Sequence, residues 1–444
     1  MFLRWIHRIY RLSRWVSLWV RRRLTTPGIL VAAGALLAAG ASNTEQTVAL
    51  QAFLFLAGML GTAMVWAPFF HARLGILRQP PRFVTVGVPF NQRVEVQNLT
   101  QSPQRGLEYL EDIQEPPLSL SELAARTRLG RGNRKIQPGA SPPPIRGAQT
   151  QCLPIPTVPT RGRTEISVEI VAWRRGPLML AGAWIGRPDP LGLFRGFQRV
   201  RDPHTVLVLP KRYPLPPLRL PGNSHYQRGG VEFASGIGEA EEFVALRDYR
   251  RGDSLRRVHW RSAARMGKLV VKEFQDEHLV RHALVLDTYC DASRDADFEE
   301  AVAVAASFAC TVPDQESVLD LMFVGPRAIH ITTGRGMGHS IQLLEVLATA
   351  TPCRELQVSE LEALIFRQRD TLSGVILVLL DWDEPRRHLV KQLKLHQLPV
   401  WVLLISENSS DETLRATPPE QRPERWIVLQ SGRVAEGLHQ LKDP

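Results

Sequence analysis

Cysteine is scarce in this sequence: Cys152, Cys290, Cys310 and Cys353 are the four in 444 residues. They stand far apart, form no CxxC pair and have no histidine at zinc spacing. That excludes a disulfide-stapled scaffold and a Cys/His zinc site, and it suits a reducing compartment. No GxSxG or HExxH run occurs, so a serine-hydrolase elbow and a zincin helix have no support. Charged residues at 22% and hydrophobic residues at 44% exclude wholesale disorder, collagen-like repetition and a polytopic transporter. A chain of 444 residues is too long for one ordinary domain, and about three folded units are expected.

Acid is missing from the N-terminal region. Residues 1–78 hold nine arginines and a single acid, Glu45, and so carry +8 of the formal net charge of +11. The remainder is close to neutral, which makes the basicity local rather than the spread field of a nucleic-acid binder; nucleic acid is not an expected partner. Charge vanishes altogether from Val48 to Phe70, a run of 23 residues. As a helix it would extend about 34 Å, enough to cross a bilayer core. Pro27 to Ala41 is shorter and Ala/Gly-rich, and spans only with Leu24, Thr25, Thr26 and Ser42 at the interfaces. Two transmembrane helices, at about 24–42 and 48–70 within 24–78, are therefore expected, joined by the tight SNTEQT turn. Gly34, Gly40, Ala57, Gly58 and Gly61 would let them approach closely.

Seven arginines precede the first span and Arg73, Arg78 and Arg82 follow the second. Positive-inside logic puts both ends and the soluble domains in the cytoplasm of an inner or plasma membrane, with the lipid bilayer as partner. A cleaved signal peptide is not expected, because Arg21 to Arg23 precede two apolar stretches that make a hairpin and a stop. Residues 1–23 interleave Trp5, Ile9, Leu12, Trp15 and Trp19 with Arg4, Arg8, Arg11 and Arg14. They read either as an amphipathic helix on anionic headgroups or as a basic solvated tail.

Alternation dominates the next stretch, 79–215. Phe83 to Leu99 opposes Val94 and Val96 to Glu95 and Gln97, and Thr164 to Trp173 sets Ile166, Val168 and Ile170 on one face. Leu178 to Ile185 and Thr205 to Leu209 add strand candidates. Pro/Gly turns between them predict an antiparallel β-sandwich-like domain. An insert at 116–163 breaks the pattern with nine prolines and a run of Arg and Gly, and a mobile loop is predicted there. Its Arg126, Arg128, Arg131, Arg134 and Lys135 either contact lipid headgroups or RNA, or are simply solvated.

The densest cluster of unusual residues runs from Gly236 to Phe274 inside the segment 216–280. Glu239, Glu241, Glu242, Asp248 and Asp253 face a larger set of arginines, enough for an ion-pair network, and planar Arg suits bidentate pairing with carboxylates. Gly252 and Asp253 supply a turn whose aspartate can start a short helix, with Trp260 packed beneath. Two readings stay open. One is a buried network tying the β domain to the C-terminal unit; the other is a partner- or anion-docking surface built from Glu242, Arg247, Asp253, Arg256, Trp260 and Arg265. His259 is either a proton donor or a structural residue, and no base and nucleophile pair accompanies it.

Glu242, Phe243, Leu246, Arg247, Tyr249, Gly252, Asp253, Arg256, Trp260, Ala264 and Arg265 together resemble the hallmark of the domain of unknown function 58 family. Arg175–Gly176–Pro177 and the run Asp189 to Phe194 are similar to that family as well, as are paired membrane spans before a β domain. The resemblance implies a membrane-anchored cytoplasmic protein, often encoded beside MoxR-type AAA+ ATPases. It implies no defined reaction.

From His282 onward, apolar runs alternate with helical periods: HALVLD, Phe298 to Cys310, Val318 to Val324, Ile341 to Ala350, Gly374 to Leu380, Glu384 to Leu395 and Val400 to Ile405. That predicts a parallel sheet with crossover helices over 281–444. The arrangement resembles a von Willebrand factor A domain of Rossmann type, whose adhesion site uses Asp-x-Ser-x-Ser to hold Mg²⁺ or a similar cation. Asp287 stands at the first position, but Tyr289 and Asp291 replace the two serines. Asp287, Asp291 and Asp381 remain as candidate metal ligands, with Mg²⁺ the possible cofactor; Cys290 reads as a small apolar filler. GRGMG, from Gly334 to Gly338, lacks the Walker lysine and reads as a flexible turn.

The resulting expectation is a multidomain α and β protein: a transmembrane hairpin, a β-sandwich-like domain and a von Willebrand-like domain. Its expected role is that of a scaffold without turnover, serving a MoxR-type AAA+ ATPase in protein complex assembly. The competing expectation is a metal-dependent ligand or enzymatic site around Asp287 and Asp291.

Overall fold

The computed structural model describes residues 16, 19–20, 22–41, 47–67, 70, 73–114, 147–216, 218, 220, 243–274, 280–291, 294–312, 317–333, 337–354, 358–406 and 416–441. The basic segment of residues 1–15, Glu239, Glu241 and Glu242, the glycines Gly334 and Gly336, and the insert from 115 to 146 lie outside that description. The chain forms two compact units, one of residues 1–211 and 344–350, the other of residues 212–343 and 351–444.

In the first unit two apolar helices, α1 (Thr26–Ala41) and α2 (Thr47–Trp66), pack on each other. Helix α1 has 16 residues, fewer than the roughly 20 that a spanning helix requires. Val48–Trp66 is the one described helix long and apolar enough to cross a membrane.

Nine strands follow: β1 (Leu74–Gln79), β2 (Phe83–Thr85), β3 (Pro89–Asn98), β4 (Leu107–Gln114), β5 (Ala148–Thr150), β6 (Leu153–Ile155), β7 (Arg163–Ala172), β8 (Gly176–Pro188) and β9 (Arg195–Leu209). They make one sheet in the order β1-β3-β7-β5 and another in the order β2-β9-β8-β4-β6. Every pair is antiparallel except β2 with β9. Period-2 alternation sends Val94, Val96, Val168 and Ile170 of the first sheet and Tyr109, Leu180, Ile185 and Val208 of the second into a shared apolar cluster. The alternating run at Phe83 to Leu99 is two strands, not one. Gly87 at φ 76° turns the backbone between them, in a conformation that side chains with a Cβ disfavour.

In the second unit β10 (Phe243–Asp248) pairs antiparallel with β11 (Val270–Phe274), and the short helix α3 (Trp260–Met266) lies between them in sequence. A six-stranded sheet follows, built from β12 (Val280–Leu286), β13 (Ser317–Val324), β14 (Ala328–Thr333), β15 (Gly374–Leu379), β16 (Val400–Ile405) and β17 (Arg425–Leu429). Helices α4 (Asp295–Thr311), α5 (Met337–Thr349), α6 (Val358–Phe366), α7 (Glu384–Leu395) and α8 (Val434–His439) intervene or follow in sequence. The strand order is β14-β13-β12-β15-β16-β17, parallel except for β14 at one edge. β12 has neighbours on both sides and the later strands run outward from it in two directions. The carboxyl ends of β12 and β15 therefore flank the topological switch point, where open α/β sheets take ligands.

The strands at the centre are apolar on both faces because helices cover both. α4, buried along nearly its whole length, lies over β12, β15 and β16, while Leu361, Ile365, Leu389 and Leu393 of α6 and α7 join the cluster on the other face. Strands β14 and β17 and helix α6 are additions to the elements expected from the sequence.

Candidate functional site

Two places carry the sequence's candidate residues: the signature segment between β10 and β11, and the switch point beyond β12.

In the signature segment, Asp253 organises the turn after β10. Its carboxylate accepts the backbone N–H of Arg250 at 2.8 Å and takes a two-pronged pair from Arg247, Nη1 to Oδ2 at 2.6 Å and Nη2 to Oδ1 at 2.8 Å. Parallel N–H donation of this kind fixes direction as well as charge. The Arg247 bonds, followed by the Arg250 N–H, hold the Asp253 carboxyl down at about 2. Gly252 takes φ 108°, which closes the turn.

The aspartate does not start the helix; His259 does. Its Nδ1 accepts the backbone N–H of Ser262 at 3.3 Å and lies 2.7 Å from the Ser262 hydroxyl, while its own backbone N–H reaches the Val270 carbonyl at 2.9 Å. Gly267, at φ 67°, ends the helix.

Among the described residues, Val258, Ala263 and Val271, with Tyr249 against them, form a core in this small element. Trp260 does not pack beneath the turn as expected: it is 63% exposed. It is the first residue of α3, a seven-residue helix whose one buried residue is Ala263. Leu255 and Met266 are exposed too, at 59% and 55%. In the same segment Arg256, Arg261 and Arg265 are exposed and make no hydrogen bond or ion pair among the described residues. Of the expected set, then, Arg247 and Asp253 form a structural clasp, Arg256, Trp260 and Arg265 stand in solvent, and Glu242 lies outside the described residues.

At the switch point, Asp287 directly follows β12 and is buried, with 1% of its surface exposed. One oxygen accepts the Tyr289 N–H at 3.0 Å; the other accepts the Leu380 N–H at 3.1 Å and Arg386 Nε at 2.7 Å. Arg386 reaches this position from the first turn of α7. Asp383 caps that helix by accepting the Arg386 N–H at 3.2 Å, and takes Arg386 Nη1 at 2.6 Å. Nη2 of the same guanidinium donates to the Tyr289 carbonyl at 3.0 Å. Burial alone would lower the Arg386 pKa, but the Asp287 and Asp383 carboxylates outweigh it and raise it, so the group stays charged.

The structure does not gather Asp287, Asp291 and Asp381 into a ligand set. Asp381 points outward to Arg294 at 3.3 Å, and Arg294 also holds Asp297 at 3.0 Å and the Ile405 carbonyl at 3.1 Å. Asp291 is exposed. Among the described residues, no group of three or more His, Cys, Asp or Glu side chains could hold a metal ion. Hard-cation chemistry needs several oxygens converging at a little over 2 Å, and here a guanidinium fills the space before the carboxylate instead. Cys290 stays a packing residue: burial, then the charge of Asp295, pushes its thiol up to about 12.

Sequence reading missed Arg386. The local signal was Asp383-Glu384-Pro385-Arg386, a helix start with its cap and N-terminal proline, which places the arginine in the first turn. It also missed the role of the run Asp189 to Phe194. Asp189 accepts the N–H groups of Leu191, Leu193 and Phe194 at 2.8, 2.7 and 2.6 Å. The loop so formed receives the head of α1: Thr25 N–H donates to the Leu193 carbonyl at 3.1 Å, and the Thr25 hydroxyl donates to the Gly192 carbonyl.

Residues 245–400 match the family described as Protein of unknown function DUF58, in keeping with the signature's resemblance. The uncharacterized protein YeaD of Bacillus subtilis (strain 168) is 31% identical over 130 residues, covering 29% of this chain and 32% of YeaD. The chain thus matches about a third of the length of this curated relative. Among solved structures, the manganese-loaded TRAP protein of Plasmodium vivax is similar at 9% identity, over 37% of this chain and 73% of that one, with a TM-score of 0.28. The SpRpn10 VWA domain is similar at 14% identity, over 37% of this chain and 93% of its own, with a TM-score of 0.24.

Proposed function

We propose that this chain is a membrane-anchored scaffold whose signature segment docks an acidic surface of an AAA+ ATPase of the MoxR type, in the assembly or maturation of protein complexes. The observation that carries the reading is the exposed Trp260 in a segment whose Arg256, Arg261 and Arg265 are also exposed and are unpaired among the described residues. Tryptophan and arginine dominate the energetics of protein interfaces, because each offers a large flat surface together with directed donors. A large indole left in water on an element with so small a core is explained by a partner that covers it. The arginines favour a partner surface rich in carboxylates.

The anchor in this reading is the pair α1 and α2 as a transmembrane hairpin, supported by the apolar length of Val48–Trp66 and by the arginines on both sides of the pair. Two largely antiparallel sheets with one shared core support a sandwich-like first domain on the cytoplasmic face. The choice of a MoxR-type ATPase rests on the family resemblance of the signature. Metal-dependent chemistry at Asp287 has no comparable support, since Arg386 occupies that carboxylate.

Binding of the full chain, in detergent micelles, to a MoxR-type AAA+ ATPase tests the reading. Trp260→Ala and Arg256→Glu are expected to weaken binding about tenfold or more each. Their unfolding free energies should stay within about 0.5 kcal/mol of the parent, as exposed substitutions do. Unchanged affinity in both variants, or no binding by the parent chain, would sink the proposal. Steeply salt-dependent binding to RNA that both variants lose would replace it with nucleic-acid recognition.

A further inference from the structure

We infer that the switch-point site carries its own cation: the Arg386 guanidinium stands where an adhesion-type domain of this topology would place a divalent metal, making this end of the sheet metal-independent. Only β12, β15 and α7 are involved, and the docking surface proposed for the signature segment plays no part.

A cation at such a place neutralises the aspartate at the end of the first strand and ties that turn to neighbouring loops through oxygen ligands. Here Nε meets Asp287 Oδ2 at 2.7 Å, Nη1 meets Asp383 Oδ2 at 2.6 Å and Nη2 meets the Tyr289 carbonyl at 3.0 Å. Three oxygens from the β12 turn and the α7 cap are thus held by one planar group whose five N–H donors suit such a fork. The second lone-pair direction of Asp287 is spent on the Leu380 N–H, at the end of β15, and its other oxygen on Tyr289.

Charge closes as well. Asp287 and Asp383 bring two negative charges and Arg386 one positive, and the Asp383 carboxylate keeps 42% of its side chain in water, where solvent balances the remainder. A divalent ion could enter only by displacing a guanidinium that is 6% exposed and bonded at three nitrogens. The serines absent from positions 289 and 291 are consistent with this, because a guanidinium needs no hydroxyl ligands. The site is therefore a permanent lock on the β12–β15 crevice, and nothing captured at that crevice is gated by divalent cations.

Substituting the built-in cation tests this in the full chain in detergent micelles, with Mn²⁺ as the probe, followed by electron paramagnetic resonance and by thermal unfolding. The parent is expected to show no saturable Mn²⁺ site and no change in midpoint on adding Mn²⁺ or a chelator. Arg386→Ala is expected to unfold at lower temperature, to gain one saturable Mn²⁺ site and to recover part of the lost midpoint when Mn²⁺ is added. Adding Asp287→Asn should abolish that site.

Arg386→Lys covers the case in which the alanine variant does not fold. Its ammonium retains the positive charge, so it should remain folded and silent to Mn²⁺. Saturable Mn²⁺ binding by the parent or by Arg386→Lys, or a folded Arg386→Ala that neither loses stability nor gains a site, would overturn the inference.

Discussion

Asp253 joins two jobs that a sequence reader would assign to different residues. It closes the Gly252 turn by accepting the Arg250 N–H, and it fixes Arg247 through both oxygens. The second job shows in its titration. Its folded pKa lies near 2, below the ordinary carboxylate value, so the clasp contributes fully above about pH 4 and is lost as pH falls through 2. Carboxyl ¹³C chemical shifts of the folded protein should place the Asp253 midpoint near 2 in the parent and return it toward the ordinary value in Arg247→Met. An unshifted midpoint in the parent would mean that the clasp does not persist in solution.

Single residues also mark the limit of what could be read in advance. The pairing of an arginine with an aspartate in the signature was legible from charge and spacing, because both lie within one turn of chain. Arg386 was not, since its partner Asp287 is 99 residues away and no local rule links them. The exposure of Trp260 was hidden for the opposite reason: a tryptophan's size argues for burial, and no local pattern marks the first residue of α3 as exposed.

Among the elements, the loop from Asp189 to Phe194 supplies the sharpest energetic test. One carboxylate satisfies three backbone N–H groups, two of them in buried hydrogen bonds, and shapes the seat for Thr25. Gly28 completes the fit, since a Cβ there would stand 2.0 Å from the Leu193 carbonyl oxygen. Asp189→Ala should cost about 2–4 kcal/mol, because it strands buried donors rather than exchanging them for water. Denaturant unfolding in detergent measures that cost. A change below about 0.5 kcal/mol would show that the loop keeps its shape without the aspartate.

Element by element, alternation and apolar runs placed β7, β8, β12, β13, β15 and β16 to within a few residues, while the run at Phe83 to Leu99 merged β2 with β3. Strand β4 escaped notice because its pattern, LEYLEDIQ, puts Glu111 and Asp112 at buried positions. Glu111 is tolerated there because Arg78, 33 residues earlier on β1, pairs with it and Tyr109 donates its hydroxyl to it. Strands β14 and β17 are edge strands in the six-stranded sheet, where the continuous apolar run that marks a central strand is not required. The coarse class, mixed α/β with a doubly wound sheet, was therefore legible, whereas partners brought from afar were not.

For the molecule as a whole, the proposed topology makes its own prediction. With both ends of the α1 and α2 pair on the cytoplasmic side, Thr44→Cys in the intervening turn should react with a membrane-impermeant maleimide added from outside the membrane. Thr100→Cys, beyond the pair, should react only after permeabilisation. Equal reactivity of the two from the outside would exclude a hairpin with a cytoplasmic domain.

The seat for Thr25 carries a consequence for the order of synthesis. Thr25 and the Leu193 carbonyl that holds it are separated by 168 residues. At translation rates of about 5–20 residues per second, roughly 10–30 s pass between the emergence of the one and the arrival of the other. In the proposed anchored topology the apolar helices would thus meet the insertion machinery long before their dock exists, so that early partitioning would depend on their own composition, with the hydrogen-bonded seat fixing their final placement against the β domain.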